Sequence, residues 1–511
     1  KLAQIKKLDR AADASKLEMG HVFFHKIMQV ILDAKPKLSA PLDQYWNKKF
    51  ESDRFERGKE SQIYSESYLL QFLKVSEAEE IALTASHKYA LDHLPEKAPE
   101  GLYRGDGIVF VGGGKFNWLT LLSVKRLRST GCTLPVEVLI PTFEEFEVDM
   151  CISVFPSLNA RCIYMPTVLF KDDQSRYGPK TKLAFKGYQY KSLAILLSSF
   201  ENLLLLDGDN VVITSPQNIL TLEPFKSTGL VLWPDYWRRS TCPKFYSIAG
   251  VKVSDLKLNS GYNEVLNGYL DQQGKITLEE TLNVSYHERV GTIPDPSTES
   301  GQLVISKKSH FKALLLAFYY NSFGPDFYYP LFSQGAPGEG DKETFIAGAV
   351  VLNETFYQVG SFVLAIGNFV NGEFTGRGMG QADPIEDYQR TLEFRQIAET
   401  YSDPAMTEKL KALPQPKLMF LHANYPKLNP WELKLKGTTV DEKGRYRLYG
   451  SLLKEKSGRD IELEIWQDME ELMCGEMNLQ LEAFKQVDNQ ALCKEILEQK
   501  EFLLQTSAAL K

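Results

Sequence analysis

Four leucines run directly into two carboxylates in the segment Leu203-Leu204-Leu205-Leu206-Asp207-Gly208-Asp209-Asn210. A short, wholly apolar run of this kind predicts a buried strand, and here it ends abruptly at Asp207. In open α/β sheets, ligands bind beyond the carboxyl ends of the strands, and carboxylate oxygens are suitable ligands for a divalent cation. We therefore expect Asp207 and Asp209 to form part of a metal site. The alternative is a solvated turn, because Asp-Gly pairs are common in turns.

The segment upstream of the leucine run alternates strands and helices. The predicted elements are a strand at Ile108–Gly114, a helix at Phe116–Ser129, strands at Val136–Ile140 and Arg161–Met165, and a long helix at Leu183–Phe200. Residues 107–210 are therefore expected to form a mostly parallel sheet covered by helices, which places the protein in the α/β class. Gly112 and Gly113 could let a nucleotide approach the end of the first strand, but a plain tight turn explains them equally well.

Changes in composition divide the chain into three parts. The predicted parts are a helical stem or scaffold at 1–100, the α/β domain at 101–431, and a charged helical extension at 432–511 that packs on the core. The expected helices outside the sheet region are Lys16–Ala34, Gln62–Leu94, Ser309–Tyr320, Asp460–Met473 and Asn478–Gln505. Leu418–Leu421 is predicted as a further short apolar strand, of the kind found at the centre of a sheet.

A second polar segment follows that strand. It reads Phe420-Leu421-His422-Ala423-Asn424-Tyr425-Pro426-Lys427-Leu428-Asn429-Pro430-Trp431. His422 could supply one metal ligand and Lys427 a cation for a diphosphate. On its own, a single histidine is more often a structural residue whose ring nitrogens are hydrogen-bonded within the protein. In combination with the Asp207–Asp209 pair, a metal-binding role for His422 is favoured, because a nucleotide diphosphate leaving group needs a metal and a cation.

The composition of the 511 residues excludes several classes of protein. Hydrophobic residues make up 43% and charged residues 24%, which are ordinary globular values. A net charge of −7 gives no global basic field for nucleic acid, so no nucleic-acid partner is expected. No run approaches the roughly 20 apolar residues of a membrane span. Because the sequence begins at Lys1, we expect any membrane attachment to come from an N-terminal anchor absent from this chain.

Cysteines and glycosylation sequons indicate the compartment. The six cysteines contain no Cys-x-x-Cys pair, so a zinc site is not expected, and up to three disulfides of unknown pairing are allowed. Asn283-Val284-Ser285 and Asn353-Glu354-Thr355 are N-glycosylation sequons, which favour a secretory compartment.

The ordered set of motifs resembles a known family. The set is Ile108–Gly114, the helix with Lys191, Leu203–Asn210, Glu299-Ser300-Gly301-Gln302-Leu303, Gly340-Asp341-Lys342-Glu343-Thr344-Phe345 and His422–Trp431. It is similar to metal-dependent glycosyltransferases of the GT-A type, and more specifically to the fungal Golgi mannosyltransferases of glycosyltransferase family 71. Among these, it resembles the α-1,2-mannosyltransferases that branch the mannan outer chain. The resemblance implies a GT-A core flanked by helical extensions.

The same resemblance implies roles on the donor side. Asp209 is expected to bind an Mn²⁺ ion that bridges the diphosphate of GDP-mannose, and Asp207 to contact the ribose or the metal. His422 is expected to complete the metal shell and Lys427 to bind phosphate, although the His-x4-Lys spacing is one residue shorter than in similar transferases. Lys191 is a further candidate for the phosphates, as are Gly112 and Gly113 for the nucleotide.

On the acceptor side, three acids and two tryptophans are candidates. Asp341, Glu343 and Glu299 are expected to include the group that positions the acceptor hydroxyl, and the alternative for each is an ordinary surface or helix-terminal acid. Trp233 and Trp237 could stack on a mannan acceptor, while packing in the core is equally compatible with the sequence.

These implications give a specific functional hypothesis. The chain is expected to be the luminal part of a type II Golgi enzyme that moves mannose from GDP-mannose to the α-1,6-mannan backbone of N-glycans, with retention at the anomeric carbon. The alternatives are a GT-A transferase of another linkage, such as α-1,3, or of another sugar nucleotide. A non-catalytic glycan-binding subunit is the alternative from another class, and the oligomeric state stays open.

Overall fold

The chain folds around two β-sheets that meet beside the acidic pair. The computed structural model describes residues 1, 3–5, 14–55, 62–170, 185–255, 285–476 and 479–510. Within these residues the strands are β1 (Asp106–Val111), β2 (Val136–Ile140), β3 (Ala160–Tyr164), β4 (Asn202–Leu206), β5 (Asn210–Val212), β6 (Leu230–Pro234), β7 (Thr298–Ser306), β8 (Tyr357–Gln358), β9 (Leu364–Val370), β10 (Glu373–Ala382), β11 (Leu418–His422), β12 (Val440–Asp441) and β13 (Gly444–Arg445).

The larger sheet has seven strands in the order β3-β2-β1-β4-β7-β6-β8. Strands β1 to β4 run parallel to one another, and β7 runs antiparallel to both of its neighbours, β4 and β6. The prediction of a mostly parallel sheet is therefore confirmed. Because Phe110 on β1 is opposite Leu206 on β4, these two strands end side by side. The glycine turn after β1 and the acidic pair after β4 consequently share one edge of the sheet.

The smaller sheet has four antiparallel strands in the order β5-β11-β10-β9. Strand β5 starts immediately after Asp209, and its residue Asn210 is opposite His422 on β11. The predicted strand Leu418–Leu421 therefore exists, but it lies inside this second sheet and not in the parallel one. The hairpin β9–β10 is not evident from the sequence.

Helices cover both sheets and form the two ends of the chain. The helices are α1 (Ala14–Asp33), α2 (Glu66–Leu69), α3 (Glu77–His93), α4 (Phe116–Ser129), α5 (Met165–Leu169), α6 (Tyr190–Leu197), α7 (Phe225–Thr228), α8 (Lys244–Ile248), α9 (Phe311–Ser322), α10 (Tyr329–Ser333), α11 (Thr344–Val351), α12 (Pro384–Thr400), α13 (Ala405–Ala412), α14 (Pro430–Leu435), α15 (Leu452–Ser457), α16 (Ile461–Met473) and α17 (Asn489–Ser507). The helix predicted at Phe116–Ser129 has the predicted bounds.

Three predicted helices differ from the observed ones. The stretch predicted as one helix over Gln62–Leu94 forms α2 and α3, because Ser76 caps α3 by accepting the Glu79 amide while the Glu79 carboxylate accepts the Ser76 amide. Helix α6 covers only part of Leu183–Phe200 and follows a 3-10 turn at Gly187–Gln189. Helix α17 starts late, after the N-cap Asp488.

Both ends of the chain pack into the cores of the sheet region. Phe24 on α1 and Leu83 on α3 belong to the same buried cluster as Leu203 on β4. On the other side, Trp466 on α16 shares a buried cluster with Phe420 on β11. Helix α16 therefore packs beside the second sheet, and the division of the chain into three parts stays a prediction.

Two disulfides join Cys151 to Cys162 and Cys474 to Cys493, while Cys132 and Cys242 are buried thiols. Across the described part of the chain, no helix combines the length and the apolar character that crossing a membrane requires.

Candidate active site

The acidic pair sits in a tight turn at the carboxyl end of β4. The amide of Asp207 donates to the carbonyl of Gly301 on β7 at 2.9 Å. At Gly208 an added Cβ would lie 2.7 Å from the Thr120 hydroxyl of α4, so this position requires glycine. The turn therefore packs between α4 and β7, and this packing fixes the position of the two carboxylates.

His422 reaches the acidic pair because of strand register. The pairing of His422 with Asn210 is reinforced by the Ala423 amide, which donates to the Asp209 carbonyl at 3.0 Å. His422 Nε2 lies 3.1 Å from Asp209 Oδ1 and 3.9 Å from Asp207 Oδ2. One ligand atom from each of these three residues lies within 4.8 Å of the others. The structure thus brings together the three residues predicted as metal ligands, and two carboxylates with an imidazole suit a divalent cation such as Mn²⁺.

Glu299 lies behind the histidine and orients it. Its Oε1 is 2.5 Å from His422 Nδ1 and accepts the Gly301 amide at 2.8 Å, while Oε2 accepts from Gln302 Nε2 at 2.5 Å and from Gln381 Nε2 at 3.0 Å. Both oxygens are therefore engaged, and the prediction that Glu299 positions an acceptor hydroxyl is wrong. A carboxylate that receives Nδ1–H leaves Nε2 of the same ring available as a ligand.

Two lysines flank the carboxylates. Lys427, whose side chain is 38% exposed, forms an ion pair with Asp209 Oδ2. Buried Lys191 donates to Asp207 Oδ2 at 2.9 Å and to the Ser300 carbonyl at 3.0 Å. The structure therefore places both predicted lysines at the acidic pair, with Lys427 open to solvent and Lys191 enclosed.

These contacts determine the protonation of the cluster. Burial would lower the pKa of His422, but the Asp209 and Glu299 carboxylates outweigh it and hold that pKa well above its ordinary value. Burial would raise the pKa of Asp209, yet His422 and Lys427 lower it. For Asp207, burial prevails over Lys191, and the nearby Asp209 charge adds to the rise in its pKa.

Asp341 lies on the other side of Lys191. It opens a 3-10 turn before α11, and its Oδ2 is 3.7 Å from Lys191 Nζ. This oxygen is buried and has no hydrogen-bond partner among the described residues. Burial, with a further contribution from Asp207, raises the pKa of Asp341 to about 6 despite Lys191. Asp341 is thus a buried carboxylate next to the cluster, with Lys191 and Ser300 as polar neighbours.

Glu343 does not join the cluster. Its carboxylate forms an ion pair with Arg239, and both side chains are buried. Arg239 also donates to the carbonyls of Pro294 and Pro296 at 2.8 Å each. The pair ties the turn before α11 to the segment before β7, so Glu343 lies apart from the cluster, and its catalytic role stays a prediction.

The predicted glycines lie where β1 ends. A Cβ at Gly112 would come within 3 Å of Ile140, Val138 and Asn117, and Gly113 has a φ of +119°. The amide of Gly113 donates to Asn117 Oδ1 at 2.7 Å. A tight turn therefore accounts for both glycines, and their contact with a nucleotide stays a prediction.

The two tryptophans have different positions. Trp233 is fully buried, packs edge-on against Phe420 and donates Nε1–H to the Ala382 carbonyl at 2.9 Å. The prediction that it stacks on an acceptor is wrong, because its ring fills the space between the two sheets. Trp237 is partly exposed and remains a candidate. Of the sequon asparagines, Asn353 is exposed, and Asn283 lies outside the described residues.

Sequence reasoning missed the polar residues that support the ligands. Gln302 and Gln381 bind Glu299, and Asn210 donates to the Gly301 carbonyl at 2.8 Å and to Gln302 Oε1 at 2.6 Å. All three side chains are fully buried. Their signal in the sequence is a polar residue within or beside an apolar strand, as in Gln302-Leu303-Val304-Ile305.

Known proteins are similar to this chain in sequence, and a solved structure aligns with part of it. The profile of the mannosyltransferase family Mannosyl_trans3 matches residues 105–383. The chain is 48% identical to the α-1,2-mannosyltransferase MNN21 of Candida albicans, over 97% of this chain and 76% of that protein. It is 39% identical to the α-1,2-mannosyltransferase MNN2 of Saccharomyces cerevisiae, over 86% of this chain and 75% of that protein. A solved structure of the galactosyltransferase LgtC with donor and acceptor sugar analogues aligns with 66% of this chain and 98% of that chain, at 13% identity and a TM-score of 0.28.

Proposed function

This chain belongs to the mannosyltransferase family that includes the fungal α-1,2-mannosyltransferases, and from that premise we propose that it moves mannose from GDP-mannose to the α-1,6-mannan backbone of N-glycans. The observation that carries the proposal is the cluster of Asp207, Asp209 and His422 at the carboxyl end of β4. In a glycosyltransferase, a site of this kind holds the diphosphate of the donor. The new bond is α-1,2, as in the names of the relatives.

A divalent cation fits the cluster, and Mn²⁺ is the ion we propose. Asp209, Asp207 and His422 would hold it, because their ligand atoms converge and carboxylate oxygen with imidazole nitrogen is a suitable donor set. The bound ion would supply positive charge to the departing diphosphate. Glu299 keeps His422 in the required tautomer by accepting its Nδ1–H.

Lys427 is the group of this chain that we place on the diphosphate. Its side chain is partly exposed, so it can reach a ligand beyond Asp209. As the bond to the anomeric carbon breaks, negative charge grows on the phosphate oxygens, and a fixed ammonium group stabilises that charge. Lys191 is enclosed by Asp207 and Ser300, so its role is to hold the acidic turn in place.

Asp341 is the group that we place at the acceptor hydroxyl. Its Oδ2 is buried and has no hydrogen-bond partner among the described residues, so it can accept a hydrogen bond from a sugar hydroxyl. An α-linked donor that gives an α-linked product requires retention at the anomeric carbon. Asp341 would orient the acceptor hydroxyl and accept its proton, while the bond from the anomeric carbon to the phosphate breaks and the new bond to the acceptor oxygen forms on the face from which the phosphate leaves.

We place the enzyme in the Golgi lumen, as the luminal part of a type II membrane protein. Disulfides form and persist in oxidising compartments, and the structure has two of them. Asn353 is exposed within its sequon, as glycosylation requires.

Product analysis tests the proposal most directly. The chain is incubated with GDP-mannose, Mn²⁺ and an α-1,6-linked mannose oligomer, and the product is identified by NMR. We expect a new α-1,2-linked mannose. Asp209→Ala is the matched control, and it should lower transfer by at least about 10³-fold with the fold intact. A product of another linkage, or equal turnover by folded Asp209→Ala, would contradict the proposal.

A further inference from the structure

Tyr188 is an exposed aromatic residue at the rim of the candidate active site. It lies in the 3-10 turn Gly187–Gln189 that leads into α6, three residues before Lys191. Its relative exposure is 59%. The centroid of its ring is 5.9 Å from Lys191 Nζ, and that ammonium group contacts both Asp207 and Asp341. The ring is therefore next to the carboxylates and open to solvent.

The ring packs closely against Gly340. A Cβ at Gly340 would lie 3.1 Å from Tyr188 Cδ2, closer than an ordinary carbon contact allows. Gly340 directly precedes Asp341 in the chain, so the ring packs on the backbone that carries this carboxylate. The position of the ring and the position of Asp341 are thereby linked through one close contact.

We infer that Tyr188 is a stacking platform for the acceptor mannoside, an inference that rests on the proposed function. An aromatic face binds the apolar C–H face of a sugar ring, and the tyrosine hydroxyl can stay in water. The sugar on this platform would lie next to Asp341, the group proposed to receive the acceptor hydroxyl. Tyr188 thus supplies the aromatic acceptor contact that Trp233 cannot make.

The exposure of Tyr188 favours the acceptor over the donor sugar. The donor mannose is joined to the diphosphate, so it would lie close to buried Asp209 and half-buried His422. The acceptor is part of a longer glycan that must continue out of the site into solvent. A platform with more than half of its surface exposed suits the glycan at the rim.

The first test compares Tyr188→Ala with Tyr188→Phe. Binding of an α-1,6-mannotetraose is measured by ligand-observed NMR in the presence of GDP and Mn²⁺, and GDP affinity is measured by calorimetry. Tyr188→Ala should weaken mannoside binding about tenfold, the scale of one aromatic contact, and leave GDP affinity unchanged. Tyr188→Phe should stay within about twofold of the parent, because it keeps the ring. Tyr401→Ala, which removes an exposed tyrosine on another part of the surface, is the matched control and should change neither affinity.

The second test uses the contact with Gly340. Gly340→Ala should displace the ring and weaken mannoside binding in the parent, but it should have little further effect in Tyr188→Ala. Equal mannoside affinity in the parent and Tyr188→Ala overturns the inference, and so does a loss of GDP affinity in Tyr188→Ala. This failure is distinct from failure of the proposed function, because the parent would still transfer mannose. If the parent binds the mannoside through Tyr188 but transfers no mannose, the proposed function fails and the binding platform stands.

Discussion

His422 Nδ1 lies 2.5 Å from Glu299 Oε1, and Nε2 of the same ring faces the two aspartates that precede β5. The carboxylate determines which nitrogen of the ring is available to a metal. Glu299 is itself held by Gln302 and Gln381, so its orientation does not depend on a ligand. This chain of contacts extends from the second sheet to the first and makes Glu299 a positioning residue.

Glu299→Gln should therefore weaken metal binding without removing a metal ligand. The glutamine side chain accepts hydrogen bonds at its oxygen but not at its nitrogen. Either His422 or the pair Gln302 and Gln381 therefore loses its acceptor. We expect Mn²⁺ affinity to fall by about 10- to 100-fold, measured by electron paramagnetic resonance of the free ion. Glu386→Gln, at a partly exposed glutamate that pairs with Lys417, is the control. Unchanged Mn²⁺ affinity in folded Glu299→Gln would show that His422 does not need this partner.

Lys427→Ala should weaken GDP binding as well as turnover. Its ammonium group is the partly exposed cation next to Asp209, and a hydrogen bond to a charged group contributes about 1.5–3 kcal/mol. We expect GDP affinity to fall at least about tenfold by calorimetry. EDTA should reproduce the effect of His422→Ala, because both remove the metal contribution. Lys436→Ala, an exposed lysine paired with Glu432, is the control. If GDP affinity is the same in Lys427→Ala, His422→Ala and the parent, this segment is structural.

The metal pair and the first strands could be predicted because their signals are local. A buried strand needs only a few consecutive apolar residues, and the acidic turn follows Leu206 directly. The proximity of His422 to Asp209 depends instead on the pairing of β5 with β11, which lie far apart in the chain. The chemistry that a diphosphate leaving group needs and the family resemblance linked these residues in advance, but the strand pairing itself was not predicted. The residues between these strands carry no spacing signal for the pairing.

Side-chain direction could not be predicted in the same way. The sequence predicts both Glu299 and Glu343 as acceptor-side acids, but Glu299 faces His422 and Glu343 faces Arg239. Nothing in the neighbouring residues reveals which partner a carboxylate will meet across a fold. Strand β10 was missed because Gly376, Gly378 and Gly380 interrupt the apolar alternation that identifies a strand.

Glu343→Gln should destabilise the protein and not act on catalysis directly. It removes the charge that faces buried Arg239, and breaking a buried ion pair in this way costs about 3–5 kcal/mol. The free energy of unfolding in urea should fall by that amount. Asp92→Asn breaks the exposed pair with Lys88 and should leave the free energy of unfolding nearly unchanged. A stable Glu343→Gln protein with lost turnover would support a catalytic role for this residue.

Asp341→Asn should separate the acceptor side from the donor side. We expect GDP affinity to stay nearly unchanged, because Lys191 keeps its contact with Asp207, and mannose transfer to fall by about 10² or more. The paired measurements are GDP calorimetry and the initial rate of transfer. Loss of GDP affinity would place Asp341 on the nucleotide side. A transfer rate close to that of the parent would favour attack assisted by the leaving phosphate alone.

The pH dependence of stability gives Asp341→Asn a second readout that does not need substrate. The pKa of Asp341 is about 6 in the folded chain against an ordinary value of 3.8, so the folded state binds this proton more tightly. The associated stability is fully present below pH 3.8 and is lost as the pH rises through 6, by up to about 3 kcal/mol. Asp341→Asn has no carboxyl group to titrate at this position and does not lose this stability. The free energy of unfolding of the variant minus that of the parent should therefore increase between pH 4.5 and pH 7.5, measured by urea titrations without metal. A difference that is constant with pH would mean that Asp341 is already ionised at pH 4.5, and the buried carboxylate proposed to receive the acceptor proton would then have an ordinary pKa.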